Sequence, residues 1–168
     1  SRLIDRDPFD RLTLNEANEN KVLLLRPVDL PDRLVPEMPR PSEKLRVRLL
    51  EDGQEYEVTW SNIARLELFE QMVLAEANRL SAEGQFDAAY AYFEFLFERY
   101  PKTPGLAQGQ QTFLYLSSGA AFRQQKYDEA LALVEELLAQ NPQYRASETA
   151  PKLLTVLGSI AEKLVTGY

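Results

Sequence analysis

The chain has 168 residues, 45% of them hydrophobic, and a formal net charge of −7 from 26 acidic and 19 basic side chains. It contains no Cys and no His, which excludes thiolate nucleophiles, disulfides, imidazole bases, zinc sites of the usual composition and Ser-His-Asp triads. A negative balance without a cationic cluster argues against nucleic acid, and no run approaches the roughly 18 apolar residues of a membrane helix, so neither partner is expected.

In chain order, residues 1–43 read as an extended, proline-rich segment with one short strand. Thr13 and Glu16 stand at capping-box spacing and predict a single helical turn. Lys21 to Arg26 (KVLLLR) is an apolar run of strand length. Five prolines follow between Pro27 and Pro41, and their missing donors and restricted neighbours predict an extended connector lying across a surface.

Residues 44–68 read as a small β element. Leu45, Val47 and Leu49 alternate with Lys44, Arg46 and Arg48; Tyr56, Val58 and Trp60 alternate with Glu55, Glu57 and Thr59. The Asp52-Gly53 turn between them predicts a hairpin that sets Arg46 and Arg48 opposite Glu55 and Glu57. Ser61-Asn62 predicts a tight turn and Ile63 to Leu68 a third short strand. The run VTWSNIARLEL that ends this stretch resembles the close of small SH3-like or Sm-like barrels, where a strand, a one-turn helix and a last strand follow each other. The RNA-binding contacts of many Sm-like barrels are missing.

From Phe69 the periodicity is helical, with breaks at Gly84-Gln85, Pro101 to Pro104, Lys126 and Asn141-Pro142. Phe86-Asp87-Ala88-Ala89 and Phe93 recur as Tyr127-Asp128-Glu129-Ala130 and Val134, and Tyr100-Pro101 recurs as Asn141-Pro142, always 41 residues later. On these residues the stretch 69–142 resembles the tetratricopeptide repeat (TPR) family. The resemblance implies an α+β chain whose residues 69–168 form a TPR-like array of α-hairpins. In repeat one, Ala77 and Ala89 take the close-packing positions, Gly84 the turn, Phe86 and Phe93 the large positions and Pro101 the stop. In repeat two the roles fall to Ser118, Ala130, Gln125, Tyr127, Val134 and Pro142. Two departures stand out: Gln125 replaces the usual glycine, and the spacing exceeds the family's 34 residues by an amount expected in Pro101 to Gly105. A further segment, 150–165, with Leu157-Gly158, is either a capping helix or the start of a third repeat, and a fragment of a longer protein is expected.

The resemblance also implies a concave groove lined by Gln71, Leu74, Asn78 and Ser81, then by Thr112, Tyr115, Gly119, Phe122 and Arg123, and on the last helix by Lys152, Thr155 and Ser159. The candidate peptide-binding residues are Leu74, Asn78, Tyr115, Phe122, Arg123 and Lys152. Only Asn78, helped by Lys152 or Arg123, fits a clamp for a chain-terminal carboxylate, so capture of a chaperone tail is not expected. The aromatic stretch Tyr90, Tyr92, Phe93, Phe95 and Phe97 points all round its helix, mainly into packing, with a ligand platform as the alternative. The pairs Glu67/Glu70 and Glu135/Glu136 read as solvated helix surface, and Asp5, Asp7 and Asp10 lack the glycine and twelfth-position Glu of a calcium loop. No catalytic residue, metal or cofactor is expected. The function this points to is a non-catalytic scaffold binding a protein or peptide. The alternative is an N-terminal accessory domain of a larger exported bacterial protein, such as a transport or solute-binding protein, with a preference for the periplasm.

Overall fold

A computed structural model describes residues 1–144; the expected segment 150–165 and the candidates Lys152, Thr155 and Ser159 lie outside the described residues. The fold is α+β, with small antiparallel sheets followed by four helices packed as hairpins. The chain divides between Val73 and Leu74 into two units.

Unit 1 holds five strands: β1 (Asp10–Leu14), β2 (Val22–Leu25), β3 (Lys44–Arg48), β4 (Glu55–Thr59) and β5 (Ile63–Glu67). The expected hairpin is β3–β4, with Arg46 opposite Glu57 and Arg48 opposite Glu55 as the charges require. The third strand, β5, does not extend this hairpin. It pairs with β1 in the sheet β2-β1-β5, reached from β4 through a 3-10 turn at Trp60–Asn62. A bridge between Leu25 and Leu49 joins the two sheets, flanked by bonds from Arg26 N–H to Arg48 O (2.9 Å) and Leu50 N–H to Leu24 O (2.9 Å). Hydrogen bonding thus runs from β5 through β1 and β2 to β3 and β4. The alternating faces turn Leu12, Leu25, Leu45 and Val47 into one core, which Val28, Leu30 and Leu68 complete.

Two local expectations are corrected here. Thr13 is a strand residue in β1 and caps nothing; the 3-10 turn that follows, Glu16–Asn18, is capped by Asn15, whose Oδ1 accepts from Asn18 N–H at 3.2 Å. The proline-rich segment is a surface connector only in part: residues 34–43 are largely exposed, but Val28 and Leu30 enter the core, and Pro31–Arg33 forms a 3-10 turn. That turn holds Asp32 at φ 54° and Arg33 at φ 51°, a left-handed conformation that side chains rarely adopt.

The Arg33 side chain explains how the turn is held. Its guanidinium donates from Nε to Glu70 (3.1 Å), from Nη1 to Asp10 (2.8 Å) and the Val28 carbonyl (2.7 Å), and from Nη2 to Asp10 (2.8 Å) and Glu70 (2.6 Å). All five donors are used. Asp10, fully buried, also accepts from Val28 N–H at 2.7 Å and Phe69 N–H at 2.9 Å. One ionic cluster therefore ties β1 and the proline-rich turn to the first turn of α1 (Phe69–Ala82). Both carboxylates raise the pKa of Arg33 further above the usual guanidinium value, the hydrogen bonds to Asp10 contributing most.

In unit 2, α1 continues to Ala82, followed by α2 (Phe86–Arg99), α3 (Leu106–Arg123) and α4 (Tyr127–Gln140). The 41-residue correspondence reaches backbone detail. α2 and α4 are each 14 residues long, preceded by Gln85 at φ −88°, ψ 69° and Lys126 at φ −90°, ψ 69°. Both preceding helices close in a Schellman pattern. Gln85 N–H bonds Leu80 O (2.9 Å) and Gly84 N–H bonds Ser81 O (3.1 Å); Lys126 N–H bonds Ala121 O (2.9 Å) and Gln125 N–H bonds Phe122 O (3.0 Å). Ala77 and Ser118, Ala89 and Ala130, Phe93 and Val134, and Leu96 and Leu137 are buried pairwise. The surplus length is not confined to Pro101–Gly105, because α3 also begins four residues ahead of the position equivalent to Phe69.

The Schellman turn needs a left-handed residue, and Gly84 supplies it at φ 76° while Gln125 adopts φ 62°. Nothing lies within 4 Å of a Cβ built on Gly84, so the cost of a side chain there is conformational rather than steric. Gln125→Gly is therefore expected to stabilise the protein by about 0.5–1 kcal/mol, relief of αL strain outweighing the added freedom of the unfolded chain. A higher urea midpoint at unchanged m-value will show it; a lower midpoint would mean that Gln125 makes a contact worth more than its strain.

Candidate functional site

The groove candidates have varied surroundings. Leu74 is buried, and its Cδ1 would lie 3.1 Å from a Cβ added to Gly109; the exposed Asn78 would bring Oδ1 to 2.8 Å of the same atom. These two residues thus meet at Gly109, where α3 comes close because it has no side chain. Leu74 is a packing residue there and offers no surface, contrary to its expected role in a groove, because Gly109 lets α3 close over it. Ser81 is buried too, and its hydroxyl donates to Ala77 O at 2.9 Å.

Tyr115 and Phe122 are both half-buried and engaged within the α3–α4 hairpin. The Tyr115 ring lies 6.0 Å from that of Tyr144, and the Phe122 ring meets Tyr127 edge-on at 5.7 Å. Beside Tyr115, Asn141 Nδ2 donates to Gln111 Oε1 at 3.2 Å, and burial pushes the Tyr144 phenol up. Arg123 is exposed, with its guanidinium near Gly119. Of the candidates on α1 and α3, Leu74 and Ser81 are packed away, Tyr115 and Phe122 are half-buried, and Asn78, Thr112 and Arg123 are exposed.

A cleft lies elsewhere in unit 2. It has a volume of about 650 Å³ and is bounded by α2, α3 and α4. Phe86, Tyr90, Phe93 and Phe97 line its α2 side at spacings of four, three and four residues, which place them on one helix face. Phe113 of α3 stands at the centre of this set, its ring 5.5 Å from Phe93, 6.0 Å from Phe86 and 6.5 Å from Tyr90. Phe93 and Phe113 are buried, but Tyr90 is 58% and Phe97 39% exposed. The expected alternative for the aromatic stretch thus divides by helix face: Tyr92 and Phe93 pack, whereas Tyr90 and Phe97 border the opening.

The rim is acidic. Asp87, Glu94 and Glu98 line it from α2, and Glu129 and Glu136 from α4; no Lys or Arg is among the lining residues. All five are exposed, and none forms an ion pair with a described residue. By contrast, Glu76 and Glu83 of α1 both engage Arg79, and Glu55 and Glu57 of β4 engage Arg46. Sequence reasoning took Glu136 as solvated surface and did not single out Asp87, Glu94, Glu98 or Glu129. The signal was present in the shared periodicity of Asp87, Tyr90, Glu94 and Phe97, which puts acids and aromatics on one face. What it lacked was the opposite wall, which only the packing of α4 provides.

Among the described residues no group of three or more acidic side chains is arranged to hold a metal ion. Among those residues, too, no helix is long and apolar enough to cross a membrane. Comparison with protein-family models, with curated proteins and with solved structures finds no match.

Proposed function

We propose that this chain is a non-catalytic interaction module in which a short TPR-like array holds a segment of a polypeptide partner in the α2–α3–α4 cleft. The observation that carries this reading is the exposure of Tyr90 and Phe97 at the mouth of an aromatic cleft built by two equivalent hairpins. Aromatic side chains supply large contact areas at small rotamer cost, and they dominate the energetics of protein interfaces. The 41-residue equivalence, with its shared Schellman turns and paired small residues at Ala77/Ser118 and Ala89/Ala130, supports the TPR-like part. The route from β4 through a 3-10 turn into β5, and from β5 to β1, supports a likeness of unit 1 to SH3-like barrels. The lack of His and Cys removes imidazole and thiolate chemistry, in keeping with a non-catalytic reading.

Site-specific photo-cross-linking in the native host tests the proposal. A photoreactive phenylalanine analogue at position 97 is expected to give a discrete adduct with another polypeptide. The same analogue at Gln108, an exposed α3 position outside the cleft lining, should give none. Identical patterns from both positions, or no adduct from position 97, would overturn it.

A further inference from the structure

We infer that the occupant of this cleft is a cationic amphipathic helix, a three-turn segment with an apolar stripe flanked by Lys or Arg. This rests on the reading of the cleft as a polypeptide site. Five exposed carboxylates surround an aromatic floor without a cation in the lining and without partners among the described residues. Like charges gathered on one opening repel one another, and a cationic ligand relieves that repulsion as it docks. An anionic or phosphate-bearing ligand would add to it.

Dimensions point to a helix laid along the opening. From Asp87 to Glu98 the α2 wall spans 12 residues, about 16 Å at the rise of an α-helix. A helix of that length matches the opening, and it lays one face on the aromatic floor while the other stays in water. The apolar face then meets Phe93 and Phe113 through anchors at i, i+3 and i+7. Its flanking cations reach Glu94 and Glu98 on one side and Glu129 and Glu136 on the other. An Arg at either flank also lies within reach of the exposed Tyr90 and Phe97 rings, where a guanidinium is attracted to the ring face.

The test is fluorescence anisotropy with two designed 14-residue helices that share a Leu/Phe stripe, one flanked by Lys and Arg and the other by Glu. The full chain is expected to bind the cationic helix at least tenfold more tightly, with affinity falling as salt rises from 50 to 500 mM. Glu94→Lys combined with Glu136→Lys should weaken binding tenfold or more. Glu135→Lys, an exposed charge outside the cleft lining, should change it less than twofold. These acids are exposed, so the variants are expected to fold, which unchanged circular dichroism verifies. Equal affinity for both helices, or a loss in Glu135→Lys equal to that in the double variant, overturns the inference. So does cross-linking from position 97 in the purified protein to a second copy or to residues 145–168 that the cationic helix does not displace. If the host-cell adduct from position 97 persists while the cationic helix fails, the interaction module stands and only the chemistry of its partner is refuted.

Discussion

Arg33→Ala is expected to destabilise unit 1 by about 3–5 kcal/mol, as breaking a buried ion pair from one side does. Asp10 has a fully buried side chain and Glu70 a 5% exposed one, and each faces the same guanidinium. Without it the two carboxylates remain close together, away from water and without a counter-charge. The variant also frees the Val28 carbonyl and the left-handed turn that Arg33 now holds in place. The measurement is urea unfolding followed by fluorescence of Trp60, the single tryptophan, which packs against the unit 1 core. A loss below 1 kcal/mol would mean that water replaces the guanidinium at little cost.

Phe113→Ala is expected to destabilise unit 2 by about 3–5 kcal/mol, the range for deleting a large buried ring. Phe113 is 7% exposed and touches the rings of Phe86, Tyr90 and Phe93, so the change removes three aromatic contacts as well as buried area. The helical signal at 222 nm should melt earlier, and the cationic helix should bind less tightly to whatever remains folded. Phe97→Ala is the informative companion. It lines the same cleft but is 39% exposed, so its substitution should lower affinity while costing much less stability. If Phe113→Ala melts like the parent, the floor of the cleft is not the core of the hairpins.

The two hairpins were legible in the sequence because their determinants are local. A Schellman turn, a small residue at a close crossing and a helix stop each depend on residues a few positions apart, and the 41-residue recurrence displayed them twice. The register of β3 and β4 was legible for the same reason, through the Asp52-Gly53 turn and the matched charges of Arg46, Arg48, Glu55 and Glu57. β1 was missed because Asp10 to Leu14 becomes a strand by pairing with Val22–Leu25 and with Ile63–Glu67, the latter some fifty residues away. Thr13 and Glu16 fit a cap on spacing alone, and spacing alone carries no knowledge of that pairing.

The same division runs through the candidate site. Residue order alone implied the helices, their breaks, the density of aromatics on α2 and the acidic balance. Tertiary structure decided which exposed rings border an opening, that Leu74 and Ser81 are packed away, that Glu94 and Glu136 line the same cleft, and that Arg33 closes a cluster with Asp10 and Glu70. Backbone geometry responds to neighbours along the chain, whereas a cleft or a buried ion cluster exists only where segments distant in sequence are brought side by side.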